Sequence, residues 1–306
     1  MIVSKIIPVF PEFMPITLEM RPDIRSLLSK IPDGVSEFTF SNLFLFRKRY
    51  GYEVSMVRDK TLVITGRRGD RSFFMTPCAA PGRSVLMELF DRCGYWKCIP
   101  DSVLAPCRAC LECRGLDITE DRDNFDYLYL RSNLAELPGK KYHKKRNLVN
   151  AFENVYSCTT RPLDVATAED ALAVLDQWRI GKEIDGDYEA AREALELSDR
   201  LEMRGLVYYI GEKPVAWCLG EELARGKMFA VHFEKAVDGY KGLYQFVNRT
   251  FAASLPDTVR FINREQDLGN DGLRQAKMSY RPSGFVRKYQ GRKTCGSTIG
   301  GMEEER

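Results

Sequence analysis

Hydrophobic and polar positions alternate along residues 227–234, a pattern with a period of two residues that predicts a β-strand. The alternation places His232 and Glu234 on the same face of this strand, near its carboxyl end. After a turn at residues 238–242, apolar residues recur at helical spacing and predict a helix. The N-terminus of that helix, next to a basic turn, has the properties of an anion site.

A second strand with a polar end follows. Residues 259–265 alternate, so the strand begins apolar and ends with Asn263 and Glu265 predicted on one face. A turn with two glycines then leads into a helix predicted over residues 273–280. Strand ends that become polar before a helix are where open sheets bind ligands. The alternative is that the charged residues of this segment form surface ion pairs, each worth about 0–1 kcal/mol.

The other periodic segments predict one plan of mixed helices and strands that is used twice. In the first half, helices are predicted over residues 21–31 and 84–93, and strands over residues 52–58, 60–66, 71–76 and 124–130. In the second half, a strand is predicted over residues 158–164, helices within residues 168–204, and a hairpin over residues 206–219. We predict domains at residues 1–138 and 139–293, followed by a disordered tail at residues 294–306.

Composition narrows the class of protein. At 306 residues the chain suits about two domains of roughly 150 residues each. A net charge of +3 with 29% charged residues is ordinary for a soluble protein, so affinity for nucleic acid would need a local basic patch. No apolar run approaches the roughly 18 residues that span a bilayer, and we expect a cytoplasmic protein.

A local basic patch occurs in residues 139–156, which are predicted to form an amphipathic linker helix. Its first turns carry a group that we call the basic cluster: Lys140, Lys141, His143, Lys144, Lys145, Arg146 and the adjacent Asn147. Cations at a helix N-terminus oppose the helix dipole by roughly 0.3–1 kcal/mol each. We therefore expect an anionic partner, phosphate or carboxylate. A solvated charge run beside a linker is the alternative.

The nine cysteines offer a competing signal. Cys107, Cys110 and Cys113 have a spacing that can ligate zinc or an iron–sulfur cluster, with Cys98 upstream as a fourth thiolate. The same spacing suits one face of a short buried helix, in which thiols pack as small apolar groups. We favour packing and expect no bound metal. The motifs of serine hydrolases, phosphate-loop NTPases and dinucleotide-binding enzymes are missing from the sequence.

Three segments carry a resemblance to a known family. Residues 137–150, 232–244 and 263–280 resemble bacterial proteins classed with the C-terminal domain of phosphatidylglycerol lysyltransferases. The resemblance implies an α+β fold of two GNAT-like domains in tandem, similar to lipid lysyltransferases and Fem-type peptidyltransferases. It also implies that a donor ester or thioester lies between two splayed strands, here residues 229–234 and 259–263.

The resemblance implies an acyl- or aminoacyltransferase that uses CoA or aminoacyl-tRNA as donor and an amine or hydroxyl as acceptor, carried by a small molecule or a peptide. The candidate catalytic residues are His232, Glu234, Glu265 and Tyr280. The candidate donor-binding residues are Gly239, Tyr240, Lys241, Gly242, Leu243 and Asn263. The basic cluster is the candidate substrate-binding group. The spacing of Gly239 and Gly242 departs from the acetyl-CoA-binding pattern, so the donor stays open.

A protein of another class would use the same residues differently. In this alternative, the chain is a tRNA- or nucleotide-binding protein without catalytic activity, and the basic cluster contacts phosphates.

Overall fold

The computed structural model describes residues 6–58, 60–180 and 186–294. The strands in these ranges are β1 (Met14–Pro15), β2 (Glu53–Met56), β3 (Leu62–Arg68), β4 (Arg71–Met75), β5 (Tyr95–Pro100), β6 (Leu116–Glu120), β7 (Asp126–Leu130), β8 (Cys158–Pro162), β9 (Arg204–Ile210), β10 (Lys213–Leu223), β11 (Met228–Ala236), β12 (Phe261–Asn263), β13 (Gly284–Val286) and β14 (Lys288–Lys293).

The α-helices in the same ranges are α1 (Arg21–Leu28), α2 (Phe40–Leu45), α3 (Arg47–Tyr50), α4 (Arg83–Cys93), α5 (Asp101–Leu104), α6 (Arg108–Cys113), α7 (Arg131–Glu136), α8 (His143–Glu153), α9 (Ala168–Arg179), α10 (Tyr188–Glu196), α11 (Ser198–Leu201), α12 (Leu243–Ser254) and α13 (Asp271–Met278). A short 3₁₀ helix, Lys140–Tyr142, precedes α8.

The strands form two seven-stranded sheets with the same plan. The first sheet has the order β1-β2-β3-β4-β5-β14-β6, and the second has the order β8-β9-β10-β11-β12-β7-β13. In each sheet the fourth and fifth strands are parallel and the other neighbours are antiparallel. A helix crosses between the parallel strands, α4 in the first sheet and α12 in the second. The predicted α+β class and the repeated plan are confirmed.

The two halves of the chain exchange one strand each. β14, from the end of the chain, lies between β5 and β6 of the first sheet. β7, from the first half, lies between β12 and β13 of the second sheet. The expectation that residues 124–130 complete the first half is therefore wrong. The domain limits at residues 138 and 139 stay a prediction, and the predicted tail, apart from residue 294, lies outside the described residues.

The sheets share one hydrophobic core. It contains Ile64 and Phe73 of the first sheet together with Trp217 and Phe233 of the second. A smaller core packs α4 against the opposite face of the first sheet. Within the described ranges, no helix combines the length and the apolar character that crossing a membrane would require.

The cysteine prediction needs correction. Cys110 and Cys113 lie on α6 but are exposed, so they do not pack as small apolar groups. Cys107 is half-buried and packs against the smaller core, as predicted, and its thiol donates a hydrogen bond to the Val103 carbonyl. The apolar side of this six-residue helix consists of Leu111 alone. No group of three His, Cys, Asp or Glu side chains in the described part of the chain is arranged to hold a metal ion.

Helix α8 packs against the start of α12 at Gly242. This glycine is buried and has a φ of 91°, and a methyl group on it would lie 2.1 Å from the Leu148 carbonyl oxygen. Glycine is required here for two reasons, since an L side chain would be strained by the backbone and would clash with α8. The contact holds the basic cluster next to α12.

Gly242→Ala should destabilise the protein by about 1–3 kcal/mol more than Gly239→Ala, because overpacking adds to the strain of positive φ. Gly239 is a matched control, since its φ is 96° but an added methyl group would meet no atom within 4 Å. Chemical denaturation of both variants measures the difference. Equal losses would mean that α8 can move away from Gly242 without cost.

Candidate active site

A cleft opens in the second sheet where β11 and β12 part. The two strands pair in parallel from Met228 opposite Phe261 to Ala230 opposite Asn263. β12 ends at this pair, whereas β11 continues for six residues to Ala236. The carboxyl-terminal half of β11 therefore has no partner on the β12 side, and an open edge faces the chain that follows Asn263.

A β-bulge interrupts β11 at His232. Leu219 of β10 pairs with Phe233. The next residue of β10, Gly220, pairs with Val231, so His232 has no partner on β10. A bulge of this kind sets two neighbouring residues of one strand against one residue of the other and shifts the alternation of side chains.

The bulge places His232 and Glu234 on opposite faces of the sheet. Phe229 packs on Phe251 of α12, and Glu234 accepts a hydrogen bond from Asn248 of the same helix. Strict alternation would have put Phe229 and Glu234 on different faces. His232 makes its hydrogen bonds to residues away from α12. The prediction that His232 and Glu234 share a face is therefore wrong.

His232 is held between two carboxylates. Its Nδ1 lies 2.6 Å from Oε1 of Glu265, and its Nε2 lies 3.1 Å from Oε1 of Glu221. Burial alone would lower the pKa of His232, but the hydrogen bonds to Glu221 and Glu265 raise it to about 10. At neutral pH the ring is an imidazolium that donates from both nitrogens. This state favours an orienting role over that of a base.

Glu265 has a strained backbone. Its φ is +55°, it lies two residues after the end of β12, and its N–H donates to Oδ1 of Asn263 over 2.7 Å. The expectation that Asn263 and Glu265 project from one strand face is wrong, because β12 ends before Glu265. The Glu265 carboxylate also accepts a hydrogen bond of 3.4 Å from Asn42 of α2.

On the α12 face, Glu234 lies in a polar group at the end of the cleft. Its carboxylate accepts hydrogen bonds from Asn248 at 2.8 and 3.0 Å and from Arg264 at 3.3 Å. The Arg264 guanidinium lies 5.3 Å from the centre of the Tyr280 ring. Burial raises the pKa of Tyr280 to about 12, so its hydroxyl is protonated at neutral pH and is a weaker acid than that of a free tyrosine.

One residue of the basic cluster joins this group. The Lys145 ammonium lies 3.9 Å from the centre of the Tyr280 ring, close enough for a cation–π contact. Burial, with a smaller effect of the nearby Arg264 charge, lowers the pKa of Lys145. The structure thus brings together side chains from three separate segments of the sequence. They are Glu234 from the first, Arg264 and Tyr280 from the second, and Lys145 from the third.

The other members of the basic cluster differ in their surroundings. Lys140, Lys141, His143, Lys144 and Asn147 are exposed around the start of α8. Arg146 instead donates to the backbone carbonyls of Leu137 and Gly139, the latter over 2.7 Å, and so holds the segment before α8.

The candidate donor-binding residues are also divided. Gly239 and Lys241 are exposed, whereas Gly242 is buried under α8 and the Leu243 side chain lies in the core. Tyr240 packs against Tyr156, with ring centres 5.1 Å apart.

Asn263 is fully buried, and its amide donates to the Gly34 carbonyl and to Asp126. In this arrangement Asn263 orders the end of β12 and offers no group to the cleft.

Sequence reasoning missed several residues of the site. Arg264 directly follows Asn263, which was a candidate residue. Asn248 is a polar residue on the buried side of α12. Glu221 lies on β10 and lines a cavity of about 490 Å³ on the His232 side of the sheet. A polar residue on an apolar helix face was the available signal for Asn248.

Lys277 was also missed. Burial lowers its pKa to about 8, and its ammonium donates to the Arg264 and Gln266 carbonyls, the latter over 2.6 Å. These two hydrogen bonds support the strained turn at Glu265 from the side of α13.

The paired sheets, the crossing helices and the cleft between parallel strands define a tandem GNAT-like fold. FemX has this fold, at 9% sequence identity and a TM-score of 0.56, over 92% of this chain and 96% of FemX. A sequence comparison matches residues 29–290 to the family described as phosphatidylglycerol lysyltransferase, C-terminal. The chain belongs to this family.

Two further solved structures have a similar fold. A conserved protein of unknown function from Bacteroides thetaiotaomicron is 31% identical, with a TM-score of 0.82 over 92% of this chain and 99% of that protein. L-PGS from Bacillus licheniformis is 16% identical, with a TM-score of 0.58 over 85% of this chain and 93% of that protein. A comparison with curated proteins finds no match.

Proposed function

We propose that this protein is an aminoacyltransferase that moves an aminoacyl group from tRNA to an amine or hydroxyl of a small molecule or peptide, in the cytoplasm. The observation that carries the proposal is the meeting of Glu234, Arg264 and Tyr280 with Lys145 at the cleft. The cleft thereby lies next to an exposed basic helix start. Phosphate-rich donors are attracted to such a surface.

The proposed chemistry uses the groups on the α12 face. The acceptor nitrogen or oxygen attacks the ester carbonyl, and Glu234 takes its proton. Arg264 and Lys145 stabilise the negative charge that develops on the carbonyl oxygen. The bond to the tRNA oxygen then breaks, and Tyr280 protonates that oxygen. The proton taken by Glu234 afterwards restores the Tyr280 hydroxyl.

The roles of the other candidates follow from their contacts. His232 is proposed to orient Glu265 and Glu221 as an imidazolium, because its pKa of about 10 leaves no basic nitrogen at neutral pH. Glu265 remains the second candidate for the base. Gly239, Tyr240 and Lys241 are proposed to contact the donor at the rim of the cleft.

Aminoacyl-tRNA is preferred to CoA as donor for a steric reason. In the CoA alternative, a pyrophosphate would rest on the N-terminus of α12. Gly242 at that N-terminus is buried against the Leu148 carbonyl. The exposed cations, Lys140, Lys141 and Lys144, lie instead on the outer side of α8 and its preceding turn.

Replacing Lys140, Lys141 and Lys144 together with alanine should weaken tRNA binding at least 10-fold and flatten its salt dependence, because each lost phosphate contact lowers the slope of log K against log salt by about 0.7–0.9. Filter binding of aminoacyl-tRNA at three salt concentrations measures both effects. The matched control removes the same charge elsewhere, from the exposed Lys30, Lys60 and Lys227.

The result also separates the alternatives. Equal weakening in the control would mean that tRNA binds through net charge alone, which contradicts the proposed docking site. Saturable binding of acyl-CoA, with no tRNA binding, would replace tRNA by CoA as donor. Tight tRNA binding without transfer of a labelled amino acid to any component of a cell extract would favour the non-catalytic alternative.

A further inference from the structure

The first sheet contains a second basic cleft, which is lined by none of the candidate site residues described above. Its volume is about 330 Å³, and it lies at the turn end of the β3–β4 hairpin, beside the start of β5 and the end of β14. The lining residues are Arg68, Arg71, Tyr95, Lys97, Asp121, Asp123, Asn124, Gln290 and Arg292. Four of them are cations and two are acids.

Two of the cations face each other. Arg68 of β3 and Arg71 of β4 are direct cross-strand partners. Like charges in this position repel and destabilise a hairpin. Neither arginine forms a salt bridge or a side-chain hydrogen bond with another residue in the part of the chain that the structure describes. Both side chains are exposed at the hairpin turn, where a ligand can reach them.

Lys97 is a buried cation on the wall of the cleft. It is 6% exposed, and its ammonium lies 5.0 Å from the centre of the Phe73 ring and 5.8 Å from that of Tyr50. It forms no hydrogen bond or salt bridge with residues 6–58, 60–180 and 186–294. Burial alone would lower the pKa of Lys97, but the nearby Cys98 and Glu37 raise it. The ammonium is not among the fully buried polar atoms that lack a partner, so it is open to the cleft, where a ligand can supply an acceptor.

The acids of the cleft offset only part of this positive charge. Asp123 forms a salt bridge of 2.7 Å with Arg274, which lies outside the cleft. Asp121 accepts a hydrogen bond of 2.8 Å from the Asn124 amide. Arg292 extends over the Tyr95 ring, 5.5 Å from its centre. An excess of positive charge therefore remains.

We propose that this cleft binds a small anion that carries a phosphate group, with Arg68, Arg71 and Lys97 as its principal contacts. Guanidinium groups present paired donors that match phosphate oxygens, and an ammonium adds a point charge beside them. The bound anion would relieve the repulsion across the hairpin and supply the acceptor that Lys97 lacks. The site is independent of the acyl-transfer cleft in the second sheet.

Inorganic pyrophosphate is the probe for this site. Isothermal titration calorimetry at low salt should detect saturable binding to the wild-type protein, weakened at least 10-fold by Arg71→Gln and by Lys97→Met. Arg67→Gln is the matched control, since Arg67 is an exposed neighbour on β3 that does not line the cleft. The control should bind pyrophosphate as the wild type does.

Thermal unfolding gives a second test, because Arg71→Gln should not lower the midpoint without the anion but should prevent its rise with the anion. Without the anion, Arg71→Gln should unfold at the same temperature as the wild type or higher, because a like-charge contact is removed. With excess pyrophosphate, the wild-type midpoint should rise and that of the variant should not. If Lys97→Met fails to fold, the pyrophosphate affinity of Arg71→Gln decides whether the proposal holds. Unchanged affinity in Arg71→Gln, or wild-type binding that is lost on replacing Lys140, Lys141 and Lys144, would overturn the proposal.

Discussion

Lys288→Met should lower the free energy of unfolding by about 3–5 kcal/mol, the usual loss when one partner of a buried ion pair is removed. The Lys288 side chain is fully buried, and its ammonium donates to Asp126 over 2.6 Å and to Glu37. Methionine has a similar volume but no charge, so it would leave both carboxylates in the core without their cation.

The position of this cluster explains the size of the expected effect. Lys288 lies on β14 of the first sheet, and Asp126 lies on β7 of the second sheet. These are the two exchanged strands, so the ion pair joins the two sheets. Burial raises the pKa of Glu37, but the charges of Lys288 and Lys97 outweigh it and lower the value to about 2. The Glu37 carboxylate is therefore ionised at neutral pH.

Denaturant unfolding with Lys293→Met as the control tests the prediction. Lys293 lies on the same strand, but its salt bridge with Asp91 is exposed, and its loss should change stability by about 0–1 kcal/mol. Adding Glu37→Gln and Asp126→Asn to Lys288→Met should restore part of the loss, because the uncompensated charges are then removed. Equal effects of Lys288→Met and Lys293→Met would contradict a structural role for the buried cluster.

The same cluster extends towards the cleft. Asp126 accepts hydrogen bonds from the Ser36 N–H at 2.8 Å and from the Asn263 amide at 3.0 Å. The Asn263 side-chain oxygen in turn accepts a hydrogen bond from the N–H of Glu265. A chain of hydrogen bonds therefore runs from the exchanged strands to the strained turn after β12. The position of Glu265 depends on interactions that join the two sheets.

Local periodicity was enough to predict the elements that surround the site. The alternation around residues 227–234 and the helical spacing after residue 242 correspond to β11 and α12. The basic segment forms the 3₁₀ turn Lys140–Tyr142 and the first turn of α8. These segments follow their own hydrophobic pattern, because each buries one face and exposes another.

The bulge at His232 could not be derived from the alternation of β11 alone. Its cause includes the neighbouring strand, where a methyl group on Gly220 would lie 1.8 Å from the Ala230 carbonyl oxygen. A glycine within a strand is a signal for such a close approach. That signal was present on β10, and without it the faces of His232 and Glu234 were assigned wrongly.

The strand exchange could not be predicted from the local sequence at all. Lys288 and Asp126 are 162 positions apart, and nothing in the pattern around either residue indicates the other. β7 and β14 have the length and alternation of ordinary strands, so they fit either sheet by local criteria. Their places follow from tertiary pairing, which a single sequence does not display.

Glu234→Gln should lower kcat for aminoacyl transfer by about 10²- to 10⁴-fold with little change in KM, because a general base acts in the transition state and contributes little to binding. Glutamine keeps the shape and can still accept hydrogen bonds from Asn248 and Arg264. Tyr280→Phe should also reduce kcat while it keeps the ring that Lys145 contacts. Steady-state kinetics with aminoacyl-tRNA as donor measures both variants.

The contrast with two further variants makes the prediction specific. Asp238→Asn removes an exposed acid from the following turn and should leave kcat and KM as in the wild type. Replacing Lys140, Lys141 and Lys144 should raise KM and nearly keep kcat, because binding common to the ground state and the transition state is lost. If that triple variant lost kcat at saturating donor while Glu234→Gln kept it, the reaction would take place at the basic cluster, and the assignment of the base to Glu234 would be wrong.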